Sequence, residues 1–509
     1  MRLILFAIAL LLINGSAFAA EFSCKKNFPN LKNTPRTELT VKEAKAEIDC
    51  IVDLLRNVHP NFNAHITRKA FQKIARGLKK RIKEPQKIED LFTKYTSLVS
   101  AVCDEHTIVQ YPDRMHKTFD SSEWGFPSRL YIATDNLYAK MNNTYNLDAR
   151  FTENVLKIHS INHVKADELG RYLKSQTAID GCVKNRKYLL PTIHVQRSLT
   201  NLFNKPSKYL FHATTRNSSA EWFLVEPSSA LDLFKQVNTP SGSAAFPVEH
   251  HGFKLKARTE EWRYYLNRRK KTGYLYVGGF TEISQNDIRK IMRQVIADKS
   301  EKLIVDLSDN PGGQLRKSML MNSFLIPRAH KTADYVVAKR HTIYRPKDLV
   351  WETTRKKEII RQLRQFKRAP RRGGLRKLHF RKESFGNPHF RGQLFVLISH
   401  NTGSAAAAST FVLKDNRPDT KLIGYKTHGG GRTGCFSPQS SYQLPYSHLR
   451  LHVPRSCWRR TGKLAKRYAH SIIPDILVQP DPDYIDEYGK SLMAFALNYV
   501  ANPDKTRAR

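Results

Sequence analysis

The sequence predicts an α/β fold plus β structure, built from an N-terminal helical bundle, a β-rich module and a parallel α/β core. Three patterns predict it. Apolar residues recur at helical spacing over 40–103, short strands separated by turn residues fill about 108–260, and strands alternate with helices from 272 onward. Strand, helix, strand, helix in that order favours a parallel sheet. The 509 residues suffice for about three domains. The expected divisions are 1–19, 20–107, 108–260 and 261–500, the last carrying a basic insertion at 331–390.

The first division reads as a secretory signal. Arg2 precedes the apolar run Leu3 to Ile13, and Ala17-Phe18-Ala19 supplies a small-x-small cleavage site. The run is shorter than a bilayer span, and no later stretch is apolar enough to cross a membrane. The expectation is an exported chain, periplasmic or secreted, that is not integral to a membrane. Six cysteines then become informative: Cys24, Cys50, Cys103, Cys182, Cys435 and Cys457. No pair has metal-ligand spacing, so neither a metal nor a cofactor is expected. Cys435 with Cys457 is the expected disulfide, because it closes one late segment. Six reduced, buried thiols are the alternative.

In the helical region, Thr40 and Glu43 form a capping box ahead of Ala44, Ile48, Ile51, Val52 and Leu55. Proline ends this helix at His59-Pro60-Asn61. A basic helix comes next, over about 67–82. A third carries Ile88, Leu91, Phe92, Tyr95, Leu98, Val99 and Val102, and delivers Cys103-Asp104-Glu105-His106-Thr107 at its end. In the β-rich part, Val155 to Asn162 alternates as a strand does, and Ala166 to Leu173 reads as a short helix. In the core, Gly273 to Val277, Leu303 to Leu307 and Leu394 to Ile398 are strands. Ile288, Ile291, Met292, Val295 and Ile296 form one helix face.

Charge is lopsided, with 86 Lys plus Arg against 45 Asp plus Glu, a net +41. That favours an anionic partner and says nothing about fold. Arg355 to Lys382 holds 13 basic residues and one acid, Glu358. It reads either as a solvated surface or as a patch for acidic peptides, phosphates or anionic glycans. Phe366 and Phe380 are too few aromatics for a nucleic-acid platform, so no specific nucleic-acid binding is expected.

Three local patterns could carry chemistry. In His400-Asn401-Thr402-Gly403-Ser404-Ala405-Ala406, a buried strand ends, the chain turns at glycine and a serine opens a helix. Ser404 is there either a helix cap or a nucleophile facing the positive end of the helix dipole. In Asp306 to Gly313, Asn310-Pro311-Gly312-Gly313 lets backbone N–H groups approach a ligand, or is an ordinary turn. A serine nucleophile needs a base. His106 is one candidate, with Asp104, Glu105 and Thr107 beside it. His400 and His428 are rivals nearer in sequence.

Taken together these pieces resemble the C-terminal-processing (tail-specific) serine peptidases. Gly273 to Arg328 is similar to the family's core, and Arg391 to Ile398 to the strand before its nucleophile. Thr402-Gly403-Ser404-Ala405-Ala406, then Leu413-Lys414-Asp415 and Ile423-Gly424, is similar to the nucleophile helix and the strand after it. Ile473 to Val478 is similar to the closing strand. The resemblance implies a crotonase-like core, a module of the PDZ type within 108–260, and serine-type endopeptidase activity on protein or peptide substrates. One site design in the family pairs serine with lysine, but Thr427-His428-Gly429-Gly430-Gly431 lacks one, and only Lys426 lies close. The tricorn-core-like branch instead uses a histidine from the helical region, and the sequence resembles that branch. By this likeness Ser404 is the nucleophile, His106 the general base, and Gly312 and Ala405 N–H groups form the oxyanion hole. A shifted alignment would put Ala406 at the nucleophile position. Two features depart from the pattern. Tyr468 stands where the branch often has a glutamate, and Glu105 replaces the usual glycine before the histidine. The alternative function is an inactive, peptidase-like binder of anionic polymer or peptide tails.

Overall fold

The computed structural model describes residues 36–111, 126, 129–133, 136–140, 155–176, 199–200, 202–204, 206–214, 219–227, 247–339, 371–372, 375–384, 386–478 and 488–501. The signal segment 1–19 and most of the basic run Arg355 to Lys382 lie outside these residues.

The capping box forms as the sequence requires. Thr40 Oγ1 accepts from the Glu43 N–H at 3.3 Å, and the Thr40 N–H donates to Glu43 Oε2 at 3.0 Å. It starts the helix Val41–Val58, which ends where His59 precedes proline. Arg68–Arg81 and Ile88–Ser100 complete the helical region and bury their apolar stripes against the first helix. A buried acid joins this region to the rest. Glu47 Oε1 takes the N–H groups of Tyr446 and Ser447, each at 2.7 Å. Burial raises the Glu47 pKa, and those N–H groups only partly offset it.

The core sheet has seven strands. In spatial order they are Lys254–Arg258, Trp262–Asn267, Thr272–Val277, Lys302–Asp306, Gln393–Ile398, Lys421–Gly424 and Ile476–Leu477. The first three are antiparallel neighbours, and from the third onward every pairing is parallel. Both faces of the sheet are buried. Leu303, Val305, Leu394, Val396 and Ile398 face the layer of Gln285–Ala297, Leu315–Ser323 and Ser404–Asn416. Ile304, Phe395, Leu397 and Ile423 face Leu492, Met493 and Ala496 of the helix Tyr488–Ala501. Strands covered on both sides read as near-continuous apolar runs, which is how these strands read in sequence.

A second, six-stranded sheet is built around the antiparallel pair Thr433–Gln443 and Arg450–Arg459. Ile108–Gln110 pairs with Arg450–His452, and Tyr335–Lys339 pairs with the other end of the same strand. A third sheet, also six-stranded, contains Arg129–Ala133, Asn136–Lys140, Val155–Ile161, Tyr209–Thr214 and Glu221–Val225, with Val164–Lys165 attached to Val155–Ile161. The helix Ala166–Ser175 packs on it through Leu169 and Leu173. The strands at both ends of the 108–260 segment therefore belong to other sheets. Cys435 and Cys457 sit opposite each other in the second sheet and are joined as a disulfide, the pairing expected from sequence. Cys50 and Cys103 each take part in a disulfide as well.

Candidate active site

The strands Lys302–Asp306 and Gln393–Ile398 run side by side and end together. The loops after them are stitched to each other at the carboxyl edge of the sheet. Leu307 N–H donates to Leu397 O at 3.0 Å, Thr402 Oγ1 to Leu307 O at 2.8 Å, and Gly403 N–H to Asn310 O at 3.0 Å. Ser399 Oγ donates to Ser308 O. Such bonding leaves the turn before the helix little freedom.

Ser404 does not cap the helix. The helix cap is Gly403, which has no side chain to bond, and Ser404 is the first helical residue. Ser404 also carries a φ of +42°, a region that non-glycine residues rarely adopt. Such strain costs on the order of 1–3 kcal/mol and persists only where surroundings enforce it. The packing there is close: a Cβ added to Gly312 would stand 2.7 Å from Ser404 Cβ and 2.9 Å from Ala405 N. Gly312 itself has φ +118°. Ser404, Gly312 and Ala405 are thus brought together where the two loops meet.

The two amides expected at an oxyanion differ in status. The first N–H groups of a helix have no acceptor within it, which suits Ala405. The Gly312 N–H donates to Asn310 Oδ1 at 2.8 Å, and Asn310 Nδ2 donates to Val277 O at 3.0 Å. In this structure the Gly312 amide is turned into its own loop.

The histidine segment is held by a different kind of contact. Asn61 N–H donates to His59 Nδ1 at 3.0 Å, which leaves Nε2 to carry the proton given to Asp104 Oδ2 at 2.9 Å. Asp104 Oδ2 also accepts from the Thr107 hydroxyl, and its Oδ1 from the His106 backbone N–H at 3.2 Å. Burial would raise the Asp104 pKa, but hydrogen bonds from His106 and His59 outweigh it and hold the carboxyl well below the usual range. His106 Nδ1 lies 3.8 Å from both Asp104 Oδ1 and Glu105 Oε1. Glu105 Oε2 pairs with His428 Nε2 at 3.1 Å, and the His428 N–H donates to Thr402 O at 3.2 Å. That chain of contacts links the His106 segment to the Ser404 turn.

The structure also places the remaining sequence candidates. Lys426 is exposed. The His400 ring lies 6.2 Å from that of Tyr425. Ala406 is buried inside the helix core. Tyr468 packs on Phe411 in the same core, with centroids 6.3 Å apart, and provides no carboxylate. His59, Cys435 and Cys457 place their donor atoms within 4.8 Å of one another. The two sulfurs are bonded to each other, so the thiolates a metal would need are not there. Sequence reasoning missed His59 as a support and His428 as a partner of Glu105; the His59-Pro60-Asn61 break was the available signal for the first.

Residues 271–478 match the sequence model of peptidase family S41. The chain's core belongs to peptidase family S41. This is a family of serine peptidases, as the resemblance in the sequence implied. Among solved structures, mature CPAF complexed with lactacystin is similar at 13% identity, over 91% of this chain and 99% of that one, with a TM-score of 0.58. A point mutant of CPAF is similar at 12% identity, over 92% and 99%, with a TM-score of 0.59. At these identities the likeness concerns the fold. No curated protein matches this chain in sequence. Among the described residues, no helix is long and apolar enough to cross a membrane.

Proposed function

We propose that this S41-family chain is an exported serine endopeptidase in which Ser404 attacks the substrate carbonyl and His106 serves as general base. The observation that carries the reading is the strained Ser404 at the first helical position, packed against Gly312 and Ala405 at the edge of a parallel sheet. A nucleophile on a sharp strand-to-helix turn is exposed and pointed at the positive helix end.

In the first step the Ser404 hydroxyl proton passes to His106 as Oγ bonds to the carbonyl carbon. The resulting oxyanion is stabilised by the Ala405 N–H and by the Gly312 N–H once that group leaves Asn310 Oδ1. His106 then returns the proton to the departing amine, leaving an acyl ester on Ser404. Water, deprotonated by His106, releases the acid and regenerates the hydroxyl. The tricorn-core-like pattern, with histidine rather than lysine, is supported by the exposed position of Lys426 and by the contacts that run from Glu105 through His428 to Thr402. Export is inferred from the Arg2-to-Ala19 signal pattern, and disulfide bonding at Cys435–Cys457 fits an oxidising compartment.

Purified chain tested on a peptide library supplies the check. Ser404→Ala is expected to abolish hydrolysis with an unchanged thermal midpoint. Activity that survives the substitution overturns the mechanism and leaves the peptidase-like binder as the reading.

A further inference from the structure

We propose that Glu105 is a second positioning residue for the His106 ring, beside Asp104, and that its hydrogen bond with His428 latches the base segment to the nucleophile turn. The inference rests on the reading of His106 as the base and Ser404 as the nucleophile.

A ring that shuttles protons through one nitrogen needs the other nitrogen held. Two carboxylates stand 3.8 Å from His106 Nδ1. Asp104 is the first of them: it serves the ring as well as the loop, with Oδ2 shared by His59 and Thr107 and Oδ1 also taken by the His106 backbone N–H. Its geometry fixes the loop. Glu105 faces two ways: Oε2 meets His428 Nε2 at 3.1 Å, while Oε1 stands toward the His106 ring. Catalytic hydrogen bonds are commonly long before substrate arrives and tighten afterwards.

His428 gives the pair its reach. Its own N–H is bonded to Thr402 O, two positions ahead of Ser404. Its neighbour Thr427 is bonded to Ile472 O through N–H at 3.1 Å, and accepts the Ile472 N–H at 2.9 Å on its hydroxyl. His428 is thus anchored to the core on both sides. The Glu105–His428 pair spans more than 300 positions of sequence to join the two halves of the site. The core position where the sequence pattern would look for an acid holds Tyr468, packed away from this cluster on Phe411. Other charged groups around the cluster are Asp104, His59, His65, His470, Arg432 and Arg459.

The test uses the full chain with ring-labelled histidine and two variants, Glu105→Gln and His428→Asn. The His106 signal is assigned from the spectrum of His106→Asn. Loss of the Glu105 charge is expected to lower the His106 titration midpoint by about one unit. It is also expected to lower kcat by about 10-fold or more with KM little changed, because only alignment is lost. His428→Asn is expected to lower kcat in the same way. Glu105→Asp is expected to recover part of the midpoint and part of kcat; a purely structural role would move the thermal midpoint alone. An unchanged His106 midpoint in Glu105→Gln overturns the proposal, as does unchanged kcat in His428→Asn. The midpoint is read without substrate, so it judges the latch even if Ser404→Ala shows that hydrolysis proceeds by another route.

Discussion

The Ser404 turn and the histidine segment are held by different kinds of contact. Around Ser404 the holding contacts are backbone pairs (Gly403 to Asn310, Leu307 to Leu397, His428 to Thr402) and uncharged side chains bonded to backbone (Thr402 to Leu307, Ser399 to Ser308, Asn310 to Gly312). Around His106 they are mostly side chains that carry or share charge: His59, Asp104, Thr107, Glu105 and His428. Backbone contacts at the end of a doubly covered sheet survive most substitutions, because the core fixes them. A side-chain network does not, because each member leaves a buried partner unsatisfied when it is removed. The nucleophile side is therefore sensitive to added bulk, and the base side to lost charge.

The largest expected effect tests the nucleophile side. Gly312→Ala forces a Cβ against Ser404 Cβ and Ala405 N in a region of positive φ. It is expected to cut kcat/KM on a peptide substrate by about 10²-fold or more, the scale of losing an oxyanion donor. An enzyme with near-normal kcat/KM would show that the turn yields, and the contrast between the two regions would fail.

Asp104→Asn tests the base side. It leaves His59 Nε2–H and the Thr107 hydroxyl facing an amide in a buried site. Destabilisation of about 3 kcal/mol is expected in urea melts, the scale of breaking a buried charged pair. The pH dependence has a definite sign. The folded Asp104 carboxyl sits below its ordinary value of about 3.9. Its stabilisation is therefore complete above that value and is lost as pH falls through it toward the folded value. Melting curves of the wild type should fall more steeply below about pH 4 than those of Asp104→Asn. Parallel curves would show that the carboxylate does not hold the loop.

The smallest expected effect sharpens the comparison by exclusion. Lys426 is near the site in sequence but exposed in the fold. Lys426→Ala should change stability by less than about 0.5 kcal/mol. Its kcat/KM should stay within a factor of about two of wild type, on the same free-energy scale. A large loss would revive the serine–lysine design.

The same contrast explains what could be read from the sequence. The capping box at Thr40, the strands 302–306 and 393–398 and the helix after Ser404 all come from local rules: a cap, a doubly buried strand, a run of alanines. The Ser404 neighbourhood was legible because strand, glycine and serine are consecutive. Whether serine capped the helix was not, since that depends on a φ angle adopted where Gly312 of another loop packs closely against Ser404. The pair Thr433–Gln443 and Arg450–Arg459 was hidden as well. Its second strand buries Arg455, paired with Ser440 and Tyr442, which interrupts the apolar alternation that marks a strand. The His59–Asp104 and Glu105–His428 contacts join residues far apart in the chain, and no periodicity encodes them.

The central claim, that Ser404 is a nucleophile activated by His106, is tested most directly with a fluorophosphonate probe and mass spectrometry of the labelled peptide. The account predicts label on Ser404 in the wild type, and labelling slowed by about 10²-fold or more in His106→Ala. Label on another residue, or equal labelling of Ser404 in His106→Ala, would contradict it.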